Sequence, residues 1–165
     1  MRQRRIELVN LFKNLLFTAI VPGSVGAYVP LIIARHRQPS GFIFGVAVLL
    51  FATGGAIYAW CIFDFASFGR GTPFPLDPPK IFVKRGLYRY SRNPMYVGVL
   101  TVIGGWAVFY RSIPVSIYGL LVALSFHCFV VFFEEPRLRK RFGPEYELYC
   151  REVPRWLAQR GSSTT

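Results

Sequence analysis

Apolar residues in this chain form long, nearly uninterrupted blocks, without the alternation of a half-buried strand or the spacing of an amphipathic surface helix. Four blocks stand out, at residues 8–33, 41–63, 95–110 and 114–133. About 20 apolar residues in a helix, at a rise of ~1.5 Å each, cross the ~30 Å hydrocarbon core of a bilayer. The pattern therefore predicts an all-α, polytopic membrane protein with about four transmembrane helices, folded as one domain over residues 1–165.

The boundaries of the blocks predict how the helices are connected. Only residues 111–113 separate the third block from the fourth, so these two spans are expected to form a tight helical hairpin. The first block contains Pro22 and Pro30, which leaves open whether it is one kinked helix or two shorter segments. After the fourth block, apolar residues recur every three or four positions among charged ones. This spacing predicts amphipathic helices at the membrane surface, with a break at Gly143 and Pro144.

The composition agrees with a membrane protein. Hydrophobic residues make up 53% of the chain and charged residues 17%, yet the net charge is +12. So high an apolar fraction excludes a disordered chain, and the block pattern argues against a soluble nucleic-acid-binding protein. The three cysteines are far apart and form no CxxC pair, so neither a disulfide framework nor a metal site is predicted.

The distribution of basic residues orients the predicted spans. If the four spans alternate across the membrane, 17 of the 20 Lys and Arg residues fall on one side, in the N-terminus, the middle loop and the C-terminal tail. Cytoplasmic segments carry such an excess, so both termini are predicted to be cytoplasmic. The same basic patches suit anionic lipid headgroups, so membrane lipids are expected partners. Nucleic acid is not an expected partner. The oligomeric state is left open.

The middle loop differs from a plain connector. It is about 30 residues long, and long loops inside a domain are more often functional. Its first part, residues 68–80, is dense in Gly and Pro and is expected to be extended and turn-rich. A rigid polar loop of this kind can form one wall of a pocket at the cytoplasmic face.

Residues 86–98 place polar side chains at the start of the third block. Arg89 and Arg92 share a face if this stretch is helical. Asn93 and Pro94 fit the N-cap and the first position of a helix. A helix N-terminus with adjacent arginines can bind an anion. An interfacial belt of tyrosines with snorkelling arginines is the alternative interpretation.

Two adjacent acids, Glu134 and Glu135, follow the fourth block. A carboxylate costs ~2.5–3.5 kcal/mol at the middle of a bilayer and less near its surface. At a helix C-terminus it also opposes the helix dipole. The pair therefore indicates a bound cation or a hydroxyl-rich ligand. The alternative is a salt bridge to Arg89, Arg92 or Arg137.

Together these motifs resemble the isoprenylcysteine carboxyl methyltransferase and phospholipid methyltransferase superfamily of integral membrane enzymes. One block of resemblance runs from Gly86 to Gly98, and a second from Glu134 to Pro154. The segment at 71–79 is similar to that of bacterial members, which implies a bacterial inner-membrane location. The resemblance covers residues 68–156, and its motifs are specific because they occur in this order around a short hairpin.

The resemblance implies S-adenosylmethionine as cofactor and methyl transfer to a lipophilic acceptor in the membrane. The cofactor site is expected in the segments 68–98 and 134–156. The residues implied to bind the cofactor are Ile81, Phe82, Val83, Tyr88, Asn93, Pro94, Met95, Tyr96, Glu134 and Glu135. Their chemistry agrees, since carboxylates can hold the amine or hydroxyls of the cofactor and aromatic rings can flank its adenine or sulfonium.

Two positions depart from the pattern of the relatives. Many relatives have His at the position of Asn93. Unlike His, Asn cannot act as a general base. The eukaryotic isoprenylcysteine enzymes have Arg where this chain has Val130, which argues against the prenylcysteine substrate itself. Methyl transfer is compatible with both departures.

A mechanism and its rivals follow from these residues. The predicted reaction is in-line attack on the sulfonium methyl, with a carboxylate acceptor favoured because it needs no base, and an amine as the other choice. Arg92 and Arg89 would orient either the acidic group of the methyl acceptor or the carboxylate of the cofactor. His127 or one of the two Glu residues would serve as base for an amine, although packing is the favoured role of His127. A membrane reductase using NADPH and a non-enzymatic lipid-binding protein are the alternatives. The chain shows no dinucleotide glycine motif, which disfavours the reductase.

Overall fold

A computed structural model describes residues 22–34, 41–68 and 84–156, with backbone only for residues 65–68. The described part is helical and contains no strand. Its five helices are α1 (Ser24–Ile33), α2 (Phe42–Phe68), α3 (Pro94–Tyr110), α4 (Ile113–Phe142) and α5 (Pro144–Glu152). A short 3-10 turn, Gly86–Arg89, precedes α3. The all-α prediction holds for these residues, whereas the predictions for residues 8–21, the loop at 69–80 and Ile81, Phe82 and Val83 lie outside them.

Helices α2 and α3 pack closely because glycines line their crossing point. A Cβ atom added to Gly54 would lie 2.7 Å from the backbone oxygen of Gly98, and one added to Gly98 would lie 3.0 Å from that of Gly54. Further along α3, Gly105 leaves room for the Phe51 ring. Small residues at helix crossings are typical of membrane bundles, where close backbone contact replaces the hydrophobic driving force.

Replacing Gly54 with alanine is expected to lower the melting temperature of the detergent-solubilised protein, because the new methyl group overlaps backbone atoms of α3. Overpacking of this kind costs about 1–3 kcal/mol. Gly55→Ala is the matched control, since a Cβ at the adjacent Gly55 would meet no atom within 4 Å. Equal melting temperatures for the two variants would contradict the crossing at Gly54.

Helices α1 and α4 complete the bundle around α3. Val99 and Ile103 of α3 are buried against Val115 of α4. The hydroxyl of Tyr118 on α4 donates to the backbone oxygen of Val25 on α1, at 2.9 Å. Residues 111 and 112 join α3 to α4, and Ser112 caps α4 by accepting from the amide of Val115. Because the connection is so short, α3 and α4 lie next to each other.

Helix α4 runs further than the apolar block predicts. The fourth span is predicted to end at residue 133, yet the helix continues through Pro136 to Phe142. A proline has no N–H and its ring clashes with the carbonyl four residues earlier, so it normally interrupts a helix. Here a wide π turn, Val130–Glu134, precedes the proline and accommodates it. Such turns are frequent at functional sites, and this one carries Glu134.

Two described helices, Phe42–Asp64 within α2 and Ile113–Phe142, are long and apolar enough to cross a membrane. Their large apolar side chains point outward rather than into a core, as Leu49 (65% exposed) and Leu120 (71% exposed) illustrate. Outward apolar surface on this scale suits lipid rather than water. Helices α1 and α3 are shorter, so a count of four spans stays a prediction.

The C-terminal helices fold back towards the start of α3. Gly143 separates α4 from α5 with a positive φ of 51°, at the predicted break. The apolar side of α5 buries Tyr146, Tyr149 and, just beyond it, Val153. This return places residues 153–156 beside residues 91–96, where the polar residues gather.

Candidate functional site at the start of α3

A buried ion-pair cluster joins α4, just beyond its π turn, to the start of α3. Glu135 accepts from Arg155 Nε at 2.6 Å and Nη2 at 3.0 Å. The same carboxylate lies 3.1 Å from Arg92 Nη1, which also contacts Cys150 Sγ at 2.7 Å. The side chain of Glu135 is only 7% exposed. We call Arg92, Glu135 and Arg155 the arginine clamp, because it holds three segments together.

Backbone and amide contacts reinforce the arginine clamp. Arg92 N donates to Pro154 O at 2.9 Å, and Asn93 Nδ2 donates to Arg155 O at 3.0 Å. Asn93 occupies the N-cap position of α3 and Pro94 the first turn, as predicted, but the Asn93 side chain does not cap the helix. The reason is that the amide group is engaged by the returning C-terminal segment. Asn93 thus ties two segments together.

Glu134 lies beside aromatic side chains instead. Tyr96 donates its hydroxyl to Glu134 Oε2 at 2.9 Å. The Tyr96 ring stands 4.6 Å from the Phe126 ring and 6.5 Å from the Trp156 ring, centroid to centroid. Because an acceptor-only carboxylate lies among aromatic faces, this corner can hold a positively charged organic group. We call these four side chains the carboxylate–aromatic corner.

Tyr88 links this corner to helix α2. Its buried hydroxyl donates to the thiol of Cys61, and its backbone oxygen accepts from Tyr149 at 2.6 Å. Burial raises the pKa of the Tyr88 phenol well above its usual value, and the nearby Cys61 and Glu134 raise it further. Tyr88 therefore stays a neutral donor, with Met95 packed against its side chain and Cys61.

The structure brings some predicted site residues together and separates others. Tyr88, Tyr96 and Glu134 share one side of the site, with Met95 beside Tyr88. Arg89 and Arg92 do not share a helix, since the 3-10 turn ends at Arg89, and Arg89 is exposed. His127 is exposed as well, and its Nδ1 accepts from Trp156 Nε1 at 3.2 Å.

Three contributors were missed because they are distant in sequence from the residues they contact: Phe126, Arg155 and Trp156. Arg155 lies 20 residues beyond Glu135, and no local spacing connects the two. Among the described residues no group of three or more His, Cys, Asp or Glu side chains could hold a metal ion.

The site contains an unused donor that bears on ligand binding. Arg92 Nε is buried and has no hydrogen-bond partner among the described residues. Buried polar atoms are normally paired, so an N–H without a partner calls for an acceptor such as a carboxylate. The site thus combines an acceptor for a cation, Glu134, with a donor for an anion, Arg92. A zwitterionic amino-acid group with an adjacent cationic centre fits this donor set.

The fold and the site define a helical membrane protein with a cluster of polar side chains at the start of α3. A profile of the phospholipid methyltransferase family matches residues 42–145, most of the chain. The chain belongs to this family, whose membership implies methyl transfer to lipid-like substrates in a membrane. The match includes α2, α3 and α4, and with them Tyr88, Tyr96 and Glu134. Comparison with curated proteins and with solved structures finds no match.

Proposed function

We propose that this protein transfers a methyl group from S-adenosylmethionine to a lipophilic acceptor at the cytoplasmic face of the membrane. The observation that carries the proposal is the Glu134 carboxylate, held by Tyr96 inside an aromatic corner, in a chain of the phospholipid methyltransferase family. The cofactor supplies an electrophilic methyl group on a sulfonium. Aromatic faces and a carboxylate are the groups that a water-excluded site uses to hold such a cation.

Each side chain of the site has a role in the proposal. Glu134 accepts hydrogen bonds from the cofactor's amine or ribose hydroxyls, and Tyr96 fixes the orientation of the carboxylate. The Arg92 Nε–H, which has no partner among the described residues, donates to the cofactor's carboxylate. Tyr88 and Met95 form the wall towards α2. The predicted contributions of Ile81, Phe82 and Val83 belong to the same proposal.

For the acceptor, the geometry favours an amine over the carboxylate that the sequence favours. A carboxylate acceptor needs a cation to hold it, but Arg92 and Arg155 both pair with Glu135, and the proposal assigns the remaining N–H of Arg92 to the cofactor's carboxylate. Glu134, by contrast, has no cationic partner among the ion pairs of the described residues, so it can attract an ammonium group. An ammonium group must lose a proton before its nitrogen can attack the methyl carbon. A carboxylate of the site is the favoured proton acceptor, since His127 is exposed and hydrogen-bonded to Trp156.

Calorimetric titration tests the proposal against its two alternatives. Detergent-solubilised protein is expected to bind S-adenosylmethionine and to show no heat of binding with NADPH. Binding of NADPH alone would favour a membrane reductase. Binding of neither would favour a lipid-binding protein without enzymatic activity and would overturn the proposed function.

Replacing Tyr96 with phenylalanine is expected to weaken cofactor binding roughly tenfold, because the hydrogen bond that orients Glu134 is lost while the ring remains. Tyr90→Phe is the matched control, since Tyr90 is 67% exposed. Dissociation constants from the same titration measure the effect. An unchanged constant for Tyr96→Phe would remove Tyr96 from the site.

A further inference from the structure

His127 is a polar residue on the outward face of α4 that the proposed cofactor site does not use. It is exposed, and so are Leu124 and Phe129 on the same helix, at 60% and 41%. Because α4 is long and apolar enough to span a membrane, these side chains are expected to face lipid. A polar side chain without a partner is costly in that environment, so a His at this position calls for a role.

The partner of His127 is Trp156, which follows α5 in an irregular segment. Trp156 Nε1 donates to His127 Nδ1 at 3.2 Å, and the planes of the two rings are only 27° apart. The indole N–H donates to no other group among the described residues. The backbone beside Trp156 is held by Asn93, whose amide binds Arg155 O, whereas the direction of the indole depends on His127.

The same hydrogen bond leaves His127 unable to accept a proton from an amine. A neutral imidazole has one nitrogen that carries a proton and one nitrogen that accepts. Since Nδ1 accepts from Trp156, the proton lies on Nε2, and neither nitrogen has a free lone pair. The geometry therefore relates His127 to the orientation of Trp156 and not to proton transfer.

We infer that His127 is a positioning residue, which holds the Trp156 indole so that its ring face borders the cofactor beside Glu134. This inference rests on the proposed function. The Trp156 ring stands 6.5 Å from the ring of Tyr96, whose hydroxyl donates to Glu134. Among aromatic side chains, Trp attracts a cation to its ring face most strongly. An indole already held by His127 loses less rotational freedom when the cofactor binds, which favours binding.

A double-mutant cycle on S-adenosylmethionine binding tests the inference in the detergent-solubilised protein. His127→Leu removes the acceptor but suits a lipid-facing surface, and it is expected to raise the dissociation constant about fivefold. In a Trp156→Phe background no N–H remains to be held, so the same change is expected to alter the constant by less than about twofold. Cys128→Ala, at the adjacent exposed position of α4, is the control and is expected to bind like the wild type.

A His127→Asn variant distinguishes a positioning residue from a base. The Asn side-chain oxygen can accept from the indole in place of Nδ1 but cannot act as a base. Cofactor affinity and kcat for methyl transfer are therefore expected to stay within about threefold of the wild type. A kcat that falls equally in His127→Asn and His127→Leu, or an equal effect of His127→Leu with and without Trp156→Phe, would overturn the inference. Failure of the wild type to bind S-adenosylmethionine would instead refute the proposed function.

Discussion

A Glu134→Gln variant is expected to bind S-adenosylmethionine roughly 10- to 100-fold more weakly than the wild type. Glutamine has nearly the same shape but no charge, so the Tyr96 contact can persist while the attraction for a cation is lost. A hydrogen bond to a charged group contributes about 1.5–3 kcal/mol, which sets this range. Calorimetric titration in detergent measures the dissociation constant, and methyl transfer at limiting cofactor is expected to fall in parallel.

Glu152→Gln provides the charge-matched control for this experiment. Glu152 is an exposed acid at the end of α5, so its replacement changes the net charge equally without touching the site. The control is expected to bind the cofactor like the wild type. Equal affinities for Glu134→Gln and Glu152→Gln would show that the carboxylate–aromatic corner is not the cofactor site.

A Glu135→Gln variant is expected to be less stable than the wild type, whereas its main effect is not on the affinity for the cofactor. The change leaves Arg92 and Arg155 without their buried partner, and breaking a buried ion pair from one side costs about 3–5 kcal/mol. A marked fall in melting temperature is expected, together with faster proteolysis after α5, because the clamp holds residues 153–156 against α3.

Glu147→Gln is the matched control for the clamp. Glu147 pairs with Arg139 at 3.3 Å, but both side chains are about half exposed. An exposed pair of this kind contributes about 0–1 kcal/mol, so little change in melting temperature is expected. A melting temperature for Glu135→Gln as high as that of Glu147→Gln would contradict a structural role for the clamp.

The different roles of Glu134 and Glu135 show how far sequence reasoning reaches. The sequence singles out both acids, because a pair of carboxylates at the end of an apolar block is costly. It cannot tell which one is neutralised within the protein. That depends on Arg155, which lies 20 residues beyond Glu135 in the sequence. Helix α5 brings Arg155 back to the start of α3. The salt-bridge alternative therefore holds for Glu135, whereas Glu134 points into the aromatic corner.

Local patterns predict the helices better than they predict the contacts between them. Apolar blocks determine α2, α3 and α4, because each helix must satisfy its own backbone in an apolar environment. The break at Gly143 also follows from local chemistry, since this residue adopts a positive φ. The continuation of α4 through Pro136 does not, because the π turn that accommodates the proline is a property of the folded helix. The Asn93 amide likewise binds a carbonyl 62 residues away.

Transfer of an isotope-labelled methyl group tests the central claim most directly. Purified protein in phosphatidylethanolamine vesicles is supplied with methyl-tritiated S-adenosylmethionine, and the radioactivity of the extracted lipid is counted. The account predicts labelled lipid with the wild type and little label with Glu134→Gln. Unlabelled lipid with a folded wild-type protein would contradict methyl transfer to this lipid, and label retained in full by Glu134→Gln would contradict the site.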